Sequence, residues 1–483
     1  MRHSTKYSRL CQDRVMPDRL SALDASFLYL EDAVTPMHVG GVAIFERPRD
    51  GFDYEQVLCL VGQRLAYLPR YRERVVSVPG YLARPVWADD VDFDLSYHVR
   101  RSALPAPGTD GQLFELVARL MARPLDHERP LWETYFIEGL ENGRVALVTK
   151  THQAVVDGVG TVELGQLILD STPQRCEPAE DTWVPRRQPS TTQLVLDAVS
   201  ETVRRPGELA ENLRAVVGDV AATAGKLVDT VGGLASVART LIRPAPAGPL
   251  NGPVSGGRIF TVVRTRLEDY RKVRGEHGGT VNDIVLASIT GALRQWLLSR
   301  GESLAPSASL RALVPMAVLE PGSMEFSTAG LVNNQLEAHL VELPVGEANP
   351  VLRLQHISHA MRAYTDTRRS VTARAMLKVG GFAPATMHSL AARTARSFSG
   401  RIFNLVITNS PGPQIPLYAG QARMAEMYPV IPLARNQALA IGVTSYRGAV
   451  CFGLNADRKA VSDVGYLASM IEESLAELQG RNW

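Results

Sequence analysis

Two proline-rich breaks, at 171–191 and 244–257, constrain this chain more than any other feature, because proline removes a backbone donor and is rejected by helix interiors and central strands alike. Pro173, Pro178, Pro185 and Pro189 punctuate the first break, and prolines interleaved with glycines fill the second. On either side, short apolar runs of strand character, such as 39–45, alternate with helical patterns, such as 113–121. The last pattern, 461–478, is an acidic amphipathic helix. Such alternation predicts a mixed α/β fold, and 483 residues exceed what one compact core usually absorbs. The chain therefore divides into a loose basic extension (1–15, with Met16 an alternative start), a first lobe (16–170), a Pro-rich and helical connector (171–257) and a second lobe (258–483). Within the connector, Leu209, Leu213, Val216, Val220, Leu227, Val231, Leu234 and Leu241 fall on one helix face. That stripe fits a helix packed on the lobes or one lying on a lipid surface, and its polar face balances acids with bases.

Composition enters as a set of exclusions. Lys and Arg total 52 against 50 for Asp and Glu, a net +2, so no global attraction to nucleic acid is expected. The four cysteines lie dozens of residues apart, matching neither a zinc spacing nor a dense disulfide framework. Free thiols in a reducing, cytoplasmic compartment follow as the expectation. The first fifteen residues carry no apolar run and fail as a secretory signal, and no stretch of about eighteen apolar residues is present to span a membrane. A peripheral association with a membrane or lipid body stays open. Neither a P-loop nor a dinucleotide loop is evident, since Gly232-Gly233 and Gly278-Gly279 lack the required neighbours. His356 and His359 share a helix face but lack a third ligand, so no metal is expected.

Chemistry is concentrated where the apolar run from Val145 ends in His152, Gln153, Ala154, Val155, Val156, Asp157 and Gly158, followed by a helix carrying Leu164, Leu167 and Ile168. A strand end presents side chains to a cleft on rigid backbone. His152 there is a candidate general base with Asp157 to orient it, or a buried structural histidine beside a turn; spacing leaves both open.

The segment resembles the HHxxxDG motif of acyl-CoA-dependent acyltransferases, and the chain resembles the bacterial wax ester synthase/acyl-CoA:diacylglycerol acyltransferase family, abundant in mycobacteria. Further matches run in order along the chain. Leu20-Ser21-Ala22-Leu23-Asp24-Ala25-Ser26-Phe27 with Pro36-Met37-His38 resembles the family's opening, and Arg123-Pro124-Leu125-Asp126 with Arg129-Pro130-Leu131-Trp132-Glu133 the stretch before the motif. Val281-Asn282-Asp283-Ile284-Val285-Leu286-Ala287 resembles its Asn-Asp block, and Thr408-Asn409-Ser410-Pro411-Gly412-Pro413 its Asn-x-Pro-Gly-Pro block. The resemblance implies two chloramphenicol-acetyltransferase-like lobes with a tunnel between them, bridged by the helical connector. Acyl-CoA, a co-substrate rather than a cofactor, would enter from one side and a lipid alcohol from the other. His152, Gln153, Asp157 and Gly158 then occupy the catalytic motif, while Trp132, Asn282, Asp283, Asn409, Pro411 and Gly412 line or shape the tunnel. By residue type alone, Asn282-Asp283 reads first as a helix cap, 409–413 as a tight turn, and Trp132 as core or tunnel wall.

The motif departs from its family at one position. The second histidine, which removes the hydroxyl proton in that mechanism, is Gln153, and an amide has no basic nitrogen near neutral pH. Losing a positioned base typically costs about 10²- to 10⁴-fold. Three readings follow: a slow O-acyltransferase whose Gln153 orients the acceptor hydroxyl, a rotated loop in which His152 supplies the base, or a homologue that binds lipid or acyl-CoA without turnover. A condensation-type enzyme of natural-product assembly shares fold and motif, but no carrier-protein module is read in these residues.

Overall fold

The computed structural model describes residues 18–48, 51–156, 168–177, 181–204, 245–317, 336–367 and 402–480. The apolar stripe at 209–241 lies outside them, as do the N-terminal extension, Asp157 and Gly158.

In the first half, helices α1 (Ala22–Leu30), α2 (Tyr54–Leu65), α3 (Leu95–His98) and α4 (Asp110–Ala122) accompany strands β1 (His38–Glu46), β2 (Glu73–Val76), β3 (Val86–Asp89), β4 (Val99–Ala103), β5 (Trp132–Glu138) and β6 (Val145–His152). Helix α5 (Thr191–Arg204) follows the first proline-rich break. The second half holds β7 (Arg258–Arg266), α6 (Leu267–His277), α7 (Val281–Ser299), β8 (Leu310–Ala317), β9 (Leu336–Leu343), α8 (Pro350–Thr367), β10 (Leu405–Ser410), β11 (Tyr418–Ala419), β12 (Ala422–Val430), β13 (Leu439–Tyr446), β14 (Ala449–Asp457) and α9 (Val464–Leu478).

Two six-stranded sheets organise these elements, in the orders β11-β12-β1-β6-β5-β4 and β7-β14-β13-β10-β8-β9, with β2 and β3 forming a separate pair. The mixed α/β reading stands. One detail was not visible in the sequence: β11 and β12, drawn from the second half, complete the sheet of the first. Strand β12 pairs antiparallel with β1 from Gly40↔Val430 to Glu46↔Arg423.

The first sheet is covered on both faces. Phe45, Trp132, Phe136 and Leu147 belong to one apolar cluster, whereas Val42, Ile44 and Val148 join α4 through Leu113, Val117 and Met121 in another. Ile44 and Phe45 divide between the clusters because successive strand side chains point to opposite faces. The second cluster also takes in Phe260 from β7 and Cys451 from β14, so it is where the two sheets meet. The second sheet packs on α7, whose residues from Asp283 to Leu293 are buried without interruption. A helix apolar nearly all round is what the Val281–Ala287 block demands.

The expectation of reduced thiols needs correcting, because Cys59 on α2 and Cys176 form a disulfide across 117 residues of sequence, while Cys451 is free and buried. Asp170 bridges to Tyr418 of β11 and pairs with Arg64 on α2 at 2.5 Å, which brings the segment around Asp170 against that helix. Spacing cannot show such a pairing, since tertiary contacts create it. Among the described residues, no helix is long and apolar enough to cross a membrane.

Candidate active site

Strand β6 is the β-rich run that ends in the motif, and it stops at His152 because residues 153–155 turn, with the Val155 amide donating to the His152 carbonyl at 2.9 Å. The turn is held from outside. The His152 amide donates to Leu131 O and the Gln153 amide to Met37 O, both at 2.9 Å, so the blocks around 37 and 131 grip the motif from its two sides.

The His152 ring is fully buried and its Nδ1 accepts the Ala154 amide at 3.0 Å. That bond leaves the neutral ring's proton on Nε2, which lies 3.5 Å from Glu31 Oε2, too long for a normal hydrogen bond. His152 is therefore held through Nδ1 alone, and its Nε2 is buried without a hydrogen-bond partner. Gln153 is half-buried, and its Oε1 is buried without a hydrogen-bond partner. Unpaired buried acceptors are uncommon and call for an explanation.

Glu31, the C-cap of α1, is the residue that sequence reading missed. Its Oε2 accepts from His127 Nε2 at 2.7 Å and its Oε1 from the Met37 amide at 3.2 Å. Burial pushes this carboxyl up, but the hydrogen bond from His127 and the nearness of His152 outweigh it and hold the group far below the usual carboxylate range. The Glu31 contact in turn raises the His127 imidazole above its ordinary value, against burial. Behind them, His38 is the registered cross-strand partner of His152. Burial and the nearby Lys150 charge push His38 down to about 3, so it is neutral and donates from Nε2 to Met121 O at 2.6 Å. Lys150, 1% exposed, donates to Arg123 O at 2.5 Å and lies 3.5 Å from Glu133. The signals for this network in the sequence were Met37-His38, within the family's opening, and His127, between the Arg123–Asp126 and Arg129–Glu133 blocks.

The other sequence-derived residues sort into two groups. Trp132 is fully buried, donates from its indole to Tyr71 O at 2.7 Å and stacks on His98 at 4.7 Å, so it is core and not a wall. Asp283 and Thr280 form the capping box of α7, so the cap belongs to Thr280 with Asp283. Asn282 is not the cap; its Oδ1 accepts from Asn409 Nδ2 at 2.9 Å, joining the two motif blocks of the second lobe. Asn409 and Ser410 end β10 instead of sitting in a turn, and the loop begins at Pro411. Gly412 lies so close to β13 that an added Cβ would sit 2.1 Å from Ser445 O, which requires glycine there.

A family model for the wax ester synthase/diacylglycerol acyltransferase catalytic domain matches residues 20–285, and one for the WS/DGAT C-terminal domain matches 332–479. The chain is similar to "Probable diacyglycerol O-acyltransferase tgs3" of Mycobacterium tuberculosis, 52% identical over 263 residues, covering 54% of this chain and 97% of the relative. It is also similar to "Probable diacyglycerol O-acyltransferase tgs1" of the same organism, 34% identical over 464 residues, 95% of this chain and 96% of the relative. Among solved structures, a wax ester synthase/diacylglycerol acyltransferase from Marinobacter aquaeolei VT8 superposes with a TM-score of 0.66 at 28% identity, covering 95% of this chain and 98% of that one.

Proposed function

We propose, on the premise that this chain belongs to the wax ester synthase/diacylglycerol acyltransferase family, that it is an O-acyltransferase working slowly without the family's usual base. It transfers a long-chain acyl group from acyl-CoA to diacylglycerol, giving triacylglycerol, or to a fatty alcohol, giving a wax ester. The hydroxyl oxygen attacks the thioester carbonyl, the new C–O bond replaces the C–S bond, and the hydroxyl proton leaves with the CoA thiol.

The observation that carries this reading is the unpartnered, buried Oε1 of Gln153 at the motif's second position. An amide oxygen accepts a hydrogen bond but not a proton near neutral pH. Gln153 thus orients the acceptor hydroxyl, and catalysis rests on positioning and on stabilising the developing oxyanion. His152, which accepts the Ala154 amide, fixes the turn that presents Gln153. Asp157 and Gly158 keep the loop role that the motif implies, and Asn282, Asn409, Pro411 and Gly412 shape the wall contributed by the second lobe. No metal or other cofactor is needed. Because its acceptor resides in lipid, the protein works at the surface of a membrane or lipid body.

Thiol release from palmitoyl-CoA, with and without diacylglycerol, tests the reading. Release is expected to depend on diacylglycerol, to rise by up to about 10²-fold in Gln153→His, where a base returns, and to fall in Gln153→Leu, which keeps bulk but loses the acceptor. No diacylglycerol-dependent release from any of the three, with acyl-CoA still bound, would leave a lipid-binding homologue without turnover.

A further inference from the structure

Between the last turn of α4 and the loop that leads into β7 lies a cavity of about 450 Å³, walled by Leu120, Arg119 and Arg123 on one side and by Gly257, Arg258 and Arg458 on the other. It is a joint product of the two halves of the chain. Four guanidinium groups border it, and they are not equivalent. Arg258 is buried, donates to Ser255 O and Gly257 O, lies 3.8 Å from Asp457, and reaches across to Val34 O in the loop between α1 and β1. Its charge is answered. Arg458 donates to Arg258 O, and an added Cβ at Gly257 would lie 3.2 Å from the Arg458 side chain, so glycine keeps that wall close. Arg119 and Arg123 are exposed, and among the described residues no carboxylate pairs with them or with Arg458.

Three cations concentrated without counter-charge around a cavity favour a polyanion, because arginine presents planar donors matched to phosphate oxygens. The same turn of α4 connects the cavity to the catalytic motif. Met121 O holds His38, the cross-strand partner of His152, and Arg123 O holds Lys150, two residues before it on β6. A ligand anchored here by phosphate therefore sits just behind the strand that delivers His152 and Gln153.

From this placement the geometry points to the cavity as the binding site for the phosphates of the acyl-CoA co-substrate, with Arg119, Arg123 and Arg458 as its anionic anchors. The inference rests on the acyl-CoA reading above. The pantetheine arm then spans from the cavity toward the motif, leaving the opposite approach to the lipid alcohol. Substituting arginine side chains at 119, 123 and 458 leaves the backbone carbonyls that hold His38 and Lys150 in place.

The test compares the full-length protein with an Arg119→Ala/Arg123→Ala double variant and with Arg458→Ala, using palmitoyl-CoA and palmitoyl-pantetheine, which carries the same thioester without the nucleotide. Loss of charge-assisted phosphate contacts in the double variant is expected to raise KM for palmitoyl-CoA at least about 10-fold, with kcat within about twofold. KM for palmitoyl-pantetheine should not change. A parallel titration reads binding of CoA itself by calorimetry, and the same order of weakening is expected. Equal losses on both thioesters, or unchanged CoA binding in the double variant, would overturn the site. If no variant releases thiol while CoA binding still weakens in the double variant, the transferase reading falls and the phosphate site stands.

Discussion

At the end of β6 two histidines, a lysine and a carboxylate are withdrawn from water within a few residues of one another, whereas at the start of α7 and the end of β10 the groups that meet are two neutral amides. Both places join motif blocks that are far apart in sequence. They differ in what it costs to build them. A buried charge persists only when partners offset its desolvation, so Glu31, His127, His152 and the Met37 amide form a unit that loses all its members' support when one is removed. An amide pair half-open to solvent is nearly interchangeable with water and contributes alignment more than stability. Energy has been invested where the motif needs a fixed turn, and little where the second lobe only has to line a wall.

The largest expected effect breaks the charged unit. Glu31→Ala leaves the Met37 amide and the His127 imidazole without their acceptor and removes the charge beside His152, and should destabilise the first lobe by about 3–5 kcal/mol, measured as the midpoint of denaturant unfolding. A loss below about 1 kcal/mol would show that the carboxylate is dispensable and that the two junctions are alike after all. Smaller by design are Asn282→Ala and Asn409→Ala. Each should cost about 1 kcal/mol, and the double variant should cost no more than either alone, because a single hydrogen bond is being removed from both ends. Additive losses would mean that the amides hold other partners.

The same charged unit also makes stability depend on pH. Glu31, with its folded value depressed below 4.5, contributes stability that is present above that pH and lost as pH falls through the folded value. His38, depressed from 6.5 to about 3, must stay neutral in the core and so weakens the fold as pH drops below 6.5. His127 has the opposite sign: raised above 6.5, it stabilises fully below that pH and loses its contribution as pH climbs through its folded value. Unfolding midpoints across pH 4 to 9 should therefore fall on both sides of neutrality, and His127→Gln should flatten the alkaline side. An unchanged alkaline limb in that variant would remove His127 from the unit.

Much of this was legible in the sequence because it was local. The apolar run ending in His152 made a strand, Gly412 sits where only glycine fits, and the Val281–Ala287 block became a helix buried along its length. What escaped was convergence. Glu31 and His152 are 121 positions apart and meet only because β1 and β6 pair in the register His38↔His152. Cys59 and Cys176 meet across 117 positions, which no spacing encodes. Nothing in the sequence singles out Arg119 and Arg458 or joins them to Arg123, and only the approach of α4 to the loop before β7 makes them a group. Asn282 was assigned the right neighbourhood and the wrong task, since residue type favours a cap, but Thr280 already held that position.

The hairpin of β11 and β12 also fixes an order of events during synthesis. Strand β1 leaves the ribosome early, yet one of its two edges is covered only after residue 430 has been made. At typical elongation speeds the gap of roughly 380 residues lasts some 20 to 75 seconds. Throughout that interval Val42, Ile44 and Phe45 sit on a strand with an open edge, the arrangement from which unwanted strand pairing between neighbouring nascent chains starts. The first half of this chain cannot finish folding ahead of the second, so a ribosome-bound fragment ending before residue 418 should depend on chaperones in a way that the released protein does not.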